Sequence, residues 1–378
     1  MTVPSTDLMR PVALVRRHVL HDANGVPIPP AQRWAPTLAE DRDAVKALVK
    51  AGLEEARKKE PDWLIKLATR VAYWGLTDTG DRWYVAEIKA LAKLLGESPY
   101  DLALIQQQYT WVHLGCTVTA FWDKSRGEMV HLRSLDWDMR AKIAAATRLV
   151  ECYARQGDAQ PSYRALGIGG MVGLLTAVKP GAFSVSINYS PWNKAGYYID
   201  PTIRLREVMD DPGVRDYASA RAALSDKTRP VGAPVFYTLC GTQPHELCVI
   251  EWSGPALLPG FEGECYVREA DHSSGNALIV QANHHDLGGP YAMHNPGSMP
   301  NSVGNGQEAY DCKLETSSVA RYLALYGAVR QGMETSAGAL ASGWAAYRIP
   351  PLWNKETVHW AVMRPASGTI EAWAWSGT

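Results

Sequence analysis

The chain has 378 residues, 46% hydrophobic and 20% charged, with a formal net charge of −1. Such a length and composition bury a large core in one large or two modest domains, which excludes a disordered chain. With charge balanced and no cluster of five or more Lys/Arg, nothing points to a nucleic-acid footprint or an electrostatic membrane anchor.

Residues 1–30 read as irregular and Pro-rich. Arg16-Arg17 breaks the one apolar run that could serve as a signal sequence, and no stretch approaches the length of a membrane span, so the sequence predicts a cytoplasmic protein. Apolar residues at helical spacing (Val45, Leu48, Val49 and Leu53, then Leu64, Leu67, Ala68 and Val71) predict helices over 41–58 and 62–74. Two shorter helices follow at 84–95 and 101–108, split by Gly96, Ser98 and Pro99. Trp63 and Trp74 flank the second helix, which also carries Lys66 and Arg70. That pattern suits a lipid-facing surface or, alternatively, two rings packed on the rest of the protein.

From Cys116 the pattern changes to strands. The run CTVTAFWDKSRGEMVHLRSLDWDM places apolar or β-branched residues on both sides of the turn formers Asp123 to Gly127, which predicts a β-hairpin. If Trp122 and Gly127 close the turn, Cys116 lies directly opposite Arg133, with Asp136 just past the strand. Further strands are predicted at 171–177 and 183–188, 235–240 and 247–252, 277–283, 358–365 and 370–375, and helices at 201–210, 216–224 and 315–331. Two antiparallel sheets held between helix layers accommodate this series, an α+β fold with four layers, αββα.

The six cysteines lack C-x-x-C spacing, so neither a zinc ribbon nor a redox pair is expected. Cys240 and Cys248 could face each other across a hairpin, although a reducing compartment favours two buried thiols. Gly167-Ile168-Gly169-Gly170 lacks the Lys-Ser/Thr of a phosphate loop, and no Gly-x-Ser-x-Gly occurs. His284-His285-Asp286 would alternate faces on a strand, which disfavours a shared metal. No cofactor and no metal are therefore expected. A cysteine beside an arginine and an aspartate is a different matter, because a merely packed thiol does not adjoin a charged pair.

Cys116-Thr117, Asp123 with Arg126-Gly127, and His131-Leu132-Arg133-Ser134-Leu135-Asp136-Trp137 together resemble the start of the catalytic subunit in the acid ceramidase and N-acylethanolamine acid amidase family. That family lies in the choloylglycine-hydrolase branch of the N-terminal-nucleophile hydrolases. The likeness continues through Gly170-Met171-Val172-Gly173-Leu174-Leu175-Thr176, Lys179 to Ser184 and Gln281-Ala282-Asn283-His284-His285-Asp286, with counterparts for Arg33-Trp34 and Glu87-Ile88-Lys89. Members commonly carry Cys-Thr-Ser and Arg-Asn-Met/Leu-Asp; here the residues are Cys-Thr-Val and Arg-Ser-Leu-Asp. Two further departures are Asn188-Tyr189-Ser190 in place of a run containing a glutamate, and no arginine between 287 and 313 where members have one.

The resemblance implies self-cleavage between Gly115 and Cys116. The products would be a helical, alpha-subunit-like segment 1–115 and a catalytic, beta-subunit-like domain 116–378, held together as an αβ heterodimer. It implies Cys116 as nucleophile, Arg133 orienting it and favouring the thiolate, and Asp136 holding the new α-amine. Asn283 would donate to the oxyanion, and Asn188 would mark the strand end that supplies a backbone donor. The substrate implied is a small-molecule N-acyl amide, with water resolving the thioester. An acyltransferase of the isopenicillin acyltransferase type shares every one of these residues, and a non-catalytic binding protein on the same fold is the third alternative.

Overall fold

In the computed structural model, residues 8–12, 15–79, 82–106, 115–190, 199–253, 264–270, 277–284 and 307–377 are described. The N-terminal part begins with two strands, β1 (Met9–Pro11) and β2 (Val15–His21). Five helices follow: α1 (Pro30–Leu38), α2 (Arg42–Lys59), α3 (Asp62–Thr79), α4 (Arg82–Leu95) and α5 (Pro99–Gln106). The body is built on β3 (Gly115–Asp123), β4 (Glu128–Asp136), α6 (Arg140–Ala146), β5 (Thr147–Arg155), β6 (Tyr163–Ile168), β7 (Thr176–Lys179) and β8 (Phe183–Tyr189). It continues through α7 (Pro201–Asp210), α8 (Tyr217–Leu224), β9 (Val235–Cys240), β10 (Leu247–Trp252), β11 (Cys265–Glu269) and β12 (Leu278–Gln281). It ends with α9 (Gln307–Glu334), α10 (Ala339–Ala346), β13 (Thr357–Arg364) and β14 (Thr369–Trp375).

One sheet has six strands in the order β1-β14-β13-β4-β3-β12, and the other has eight in the order β11-β10-β9-β8-β7-β6-β5-β2. The two face each other across a buried interior, where His131 of β4 bridges the Ser184 and Ser186 hydroxyls of β8 (3.0 Å each). Burial pushes the His131 imidazole down to about 3, so it sits there neutral. Outside the first sheet, Leu325 and Val329 of α9 and Ala339 and Ala346 of α10 close a second apolar core over Phe121, Val130, Leu132, Trp360 and Val362. Outside the second sheet, Tyr237 donates to the Pro201 carbonyl (2.9 Å) and Trp252 to that of Leu224 (2.9 Å), anchoring α7 and α8. The αββα layering expected from the sequence is what the chain adopts.

Three local expectations need correction. The segment before residue 30 is not irregular: β1 pairs antiparallel with β14, and β2 pairs with β5 in the one parallel pairing among the described strands. The N-terminal part thus supplies an edge strand to each sheet. Residues 171–175 are not a strand; pairing begins at Thr176, and Gly173 lies so close to Thr202 of α7 that no side chain fits there. As the sequence favoured, Cys240 and Cys248 are two buried free thiols; they do not oppose each other, because Cys240 pairs with Leu247 and Cys248 with Leu239.

The third correction concerns the β3–β4 hairpin. It closes at Asp123–Glu128, so Cys116 pairs with Leu135 and Arg133 with Val118, a register two residues from the expected one. The wider turn is held by the Asp123 carboxylate, which accepts from the Ser125 amide (3.0 Å) and hydroxyl (2.6 Å), and by the Gly127 amide donating to the Asp123 carbonyl (2.8 Å). Gly127 has φ +66°, a conformation that disfavours residues with a Cβ. A shift of two keeps every side chain on its face, so Arg133 remains diagonal to Cys116 on the interior side.

Candidate active site

Cys116 is fully buried near the start of β3, and its side chain points between the sheets. Arg133 reaches it from β4, with Nη2 3.6 Å from Sγ. The guanidinium is locked by carbonyls of the facing sheet: Nη2 donates to Ile187 (2.7 Å), and Nη1 donates to Leu175 (2.5 Å) and to the Thr176 hydroxyl. No carboxylate pairs with Arg133 among the described residues, and His359, also in this layer, is driven neutral by burial and by the arginine's own charge. The positive charge beside the thiol is therefore not cancelled by a carboxylate among the described residues.

The Cys116 backbone is held as firmly as its side chain. Its amide donates to Asn283 Oδ1 (2.8 Å), and its carbonyl accepts from Arg321 Nη1 (2.7 Å). Arg321, on α9, also donates to the Thr117 hydroxyl (2.6 Å) and to Asn283 Oδ1 (2.9 Å), and lies 3.7 Å from the Asp136 carboxylate. Asn283 Nδ2 donates to the Tyr189 carbonyl (2.8 Å); a primary amide has two hydrogens, so one stays available for a further acceptor. The asparagine backbone is fixed in turn by the Ser318 hydroxyl (2.7 Å).

Asp136 ends β4, paired with Gly115 rather than lying past the strand. Its carboxylate accepts from Asn354 Nδ2 (3.0 Å) and the Ser134 hydroxyl (3.2 Å). Burial pushes its pKa up, against the lowering influence of Arg321, Asn354, Thr357 and Ser134. A Cβ on Gly115 would lie 2.9 Å from Asp136 Cβ and 3.2 Å from Oδ2. The bond ahead of Cys116 thus lies against this carboxyl because residue 115 has no side chain.

The structure gathers Gly115, Cys116, Arg133, Asp136 and Asn283 into one cluster. Asn188 stands one step back: its side-chain amide donates to the Gln281 and Ala282 carbonyls (3.0 Å each) and pins the strand end that presents Asn283. Arg321, Asn354 and Tyr347, whose hydroxyl donates to the Thr117 carbonyl (2.9 Å), went unnoticed in the sequence. The resemblance points to an arginine close behind Asn283, whereas Arg321 reaches the site from α9. His285 and Asp286 lie outside the described residues. His284 shares a hydrogen bond with the Ser318 hydroxyl (2.7 Å), and the described residues contain no cluster suited to a metal.

No family model matches the chain. The N-acylethanolamine-hydrolyzing acid amidase of Caenorhabditis elegans is 29% identical over 260 residues, which cover 61% of this chain and 67% of that protein. The acid ceramidase of Balaenoptera acutorostrata scammoni is 23% identical over 290 residues, 71% of this chain and 70% of that protein. The chain is similar to the acid ceramidase and N-acylethanolamine acid amidase family over most of its length. A solved structure of the Caenorhabditis elegans N-acylethanolamine-hydrolyzing acid amidase ortholog covers 69% of this chain and 100% of its own, with a TM-score of 0.48 and 20% identity. At that score the fold rests on the topology described above. In this acid ceramidase-like chain the stretch where members carry a glutamate presents the Tyr189 carbonyl to Asn283 instead.

Proposed function

We propose that the chain is a cysteine N-terminal-nucleophile amidohydrolase that cuts itself between Gly115 and Cys116 and then hydrolyses a non-peptide N-acyl amide through a thioester. Its relatives make it a hydrolase of carbon-nitrogen bonds other than peptide bonds. The observation that carries the finer reading is the Cys116 thiol, buried 3.6 Å from an arginine that has no carboxylate partner among the described residues. In the first reaction the thiolate attacks the Gly115 carbonyl carbon, the Gly115–Cys116 C–N bond breaks with proton transfer to nitrogen, and the acyl group moves to sulfur. Water then hydrolyses this thioester, leaving a Gly115 carboxylate and a free α-amine on Cys116.

That amine, with an ordinary pKa of about 8, can take the thiol proton that a peptide nitrogen cannot. The thiolate attacks the substrate carbonyl, Arg133 keeps the sulfur oriented, and the second Asn283 Nδ2 hydrogen serves the oxyanion. The α-ammonium returns its proton to the departing amine, and water resolves the acyl-enzyme. Asp136 holds the amine in place. The test is intact mass under denaturing conditions at neutral and mildly acidic pH. Wild type should yield residues 1–115 and 116–378 while Cys116→Ala stays whole; an uncut wild type at both pH values rejects self-activation.

After cleavage the pieces should stay together as an αβ heterodimer, since β1 and β2 of one are paired into both sheets of the other. A lipid surface is proposed as a second contact. Along α3, Trp63 (67% exposed), Leu67 (48%), Val71 (43%) and Trp74 (55%) form one apolar stripe at helical spacing, with Lys66 and Arg70 beside it. The same stripe fits an enzyme that collects a long-chain acyl amide from a membrane. Trp63→Ala/Trp74→Ala is expected to reduce co-sedimentation with anionic phospholipid vesicles several-fold while turnover of a short soluble amide is retained. Equal sedimentation of both proteins would remove this surface from the proposal. No helix among the described residues is long and apolar enough to cross a membrane.

A further inference from the structure

Every cysteine of the chain lies at or after position 116, so no disulfide can tie residues 1–115 to the rest. What joins the two parts near the site is a strap of chain, residues 169–176, that runs from the N-terminal helices to Arg133. The strap carries Gly169, Gly170 and Gly173 and has no ladder partner before Thr176, so hydrogen bonds to its flanks must fix its path. On one flank is a cavity of about 40 Å³ lined by His18, Trp34, Cys152, Tyr163 and Arg206, which leaves close packing incomplete there.

The body holds both ends of the strap, the Gly169 amide donating to the Ala146 carbonyl (2.8 Å) and the Leu174 amide to that of Thr202 (3.0 Å), and the N-terminal part holds its middle. Gln106, buried at the end of α5, donates from Nε2 to the Gly170 carbonyl (2.7 Å) and accepts at Oε1 from the Val172 amide (2.5 Å). Arg206 Nη1 donates to the Val172 carbonyl (3.0 Å), and that arginine is itself held by Glu87 of α4 (2.7 Å), a buried carboxylate it shares with Arg33 (2.8 Å). At its far end the strap offers the Leu175 carbonyl and the Thr176 hydroxyl to Arg133 Nη1. The Leu175 carbonyl also accepts the Ile187 amide (2.9 Å).

We propose that Gln106 is a positioning residue: from the N-terminal segment it sets the 169–176 strap, and through the strap the Arg133 guanidinium that faces Cys116. The N-terminal piece is then a working part of the enzyme after cleavage and not only a shed leader. The inference rests on the amidase reading for what Arg133 does to the thiol, but not for how Arg133 is placed.

The variant is Gln106→Glu, which preserves volume and the acceptor for Val172 but replaces the donor to Gly170 with an oxygen. Hydrogen exchange reads the placement whether or not the chain cuts itself: the Val172 and Ile187 amides should exchange at least about tenfold faster, with β9 and β10 unchanged. In self-cleaved protein, kcat for an N-acyl amide should fall by up to about 10²-fold, the scale of a misplaced reacting group, with KM little altered. Unchanged exchange at Ile187 overturns the proposal, and so does faster exchange with wild-type kcat. A wild type that neither cuts nor turns over rejects the amidase reading while exchange still decides the coupling. If the variant does not fold, the wild type decides alone, since coupling requires the Val172 amide to open with those of α5 and separate opening contradicts it.

Discussion

Arg321→Met is expected to destabilise the uncut chain by about 3 kcal/mol at neutral pH, measured by denaturant unfolding, because it strands one member of a buried ion pair. The 3.7 Å separation from Asp136 places the pair at the weak end of that class, but Arg321 also satisfies the Cys116 carbonyl, the Thr117 hydroxyl and Asn283 Oδ1. Turnover should be lost with it, since those contacts hold the backbone on both sides of the thiol. A variant with wild-type stability at neutral pH would show that the Asp136 charge is compensated elsewhere.

The sign of the pH dependence follows from Asp136. Burial raises its carboxyl above the ordinary 3.8, and Arg321 is the largest influence in the opposite direction, so removing the arginine raises it further. A carboxyl with a folded-state pKa above its unfolded value contributes most below the unfolded pKa and loses that contribution as pH rises through the folded one. The gap between Arg321→Met and wild type should therefore narrow on acidification and be widest above the raised Asp136 value. Adding Asp136→Asn should recover the electrostatic share, leaving the cost of the three lost hydrogen bonds. Additive losses in that cycle would rule out coupling between the two side chains.

The sequence displayed the layered fold well where burial follows hydrophobicity. β3, β9 and β10 are apolar on both faces because each lies in a sheet covered on both sides, and their runs were legible as strands. β2 was missed because its buried positions are Arg16, His18 and Leu20. Asp41 pairs with Arg16 (3.1 Å), and the His18 ring lies against that of Trp34 at 4.9 Å, so two polar residues occupy positions where an apolar one signals a strand. Spacing alone does not announce such partners, which come from distant elements.

The candidate site shows the same division. Cys116, Arg133 and Asp136 share one hairpin, so local pairing brings them together even with the register off by two. Asn283 comes from outside that hairpin, two residues past Gln281, which pairs with Val118, and only the resemblance singled it out. Arg321 carries no local signal, because it reaches Cys116 and Thr117 from α9 in the outer helix layer, about two hundred residues further along the chain. Gly115 enters the sequence reading only as the residue ahead of the bond the resemblance implies is cut; its close approach to Asp136 appears once β3 and β4 are paired.

Asn283→Asp separates chemistry from folding more cleanly than truncation does. The aspartate keeps an oxygen for the Cys116 amide (2.8 Å) and for Arg321 (2.9 Å), to which it adds an ion pair. What it removes is the donor: the atom 2.8 Å from the Tyr189 carbonyl becomes an oxygen, and no hydrogen remains for a developing oxyanion. The expected result is a folded protein with kcat lowered by about 10² to 10³ and KM nearly unchanged, the size found when one oxyanion donor is deleted. Asn283→Ala, by contrast, leaves the Cys116 amide and a buried arginine without their acceptor and should lose stability as well. If Asn283→Asp turned over like the wild type while Asn283→Ala unfolded, the asparagine would be a strut for the Cys116 backbone, and the oxyanion donor would have to be sought among backbone amides near the end of β8.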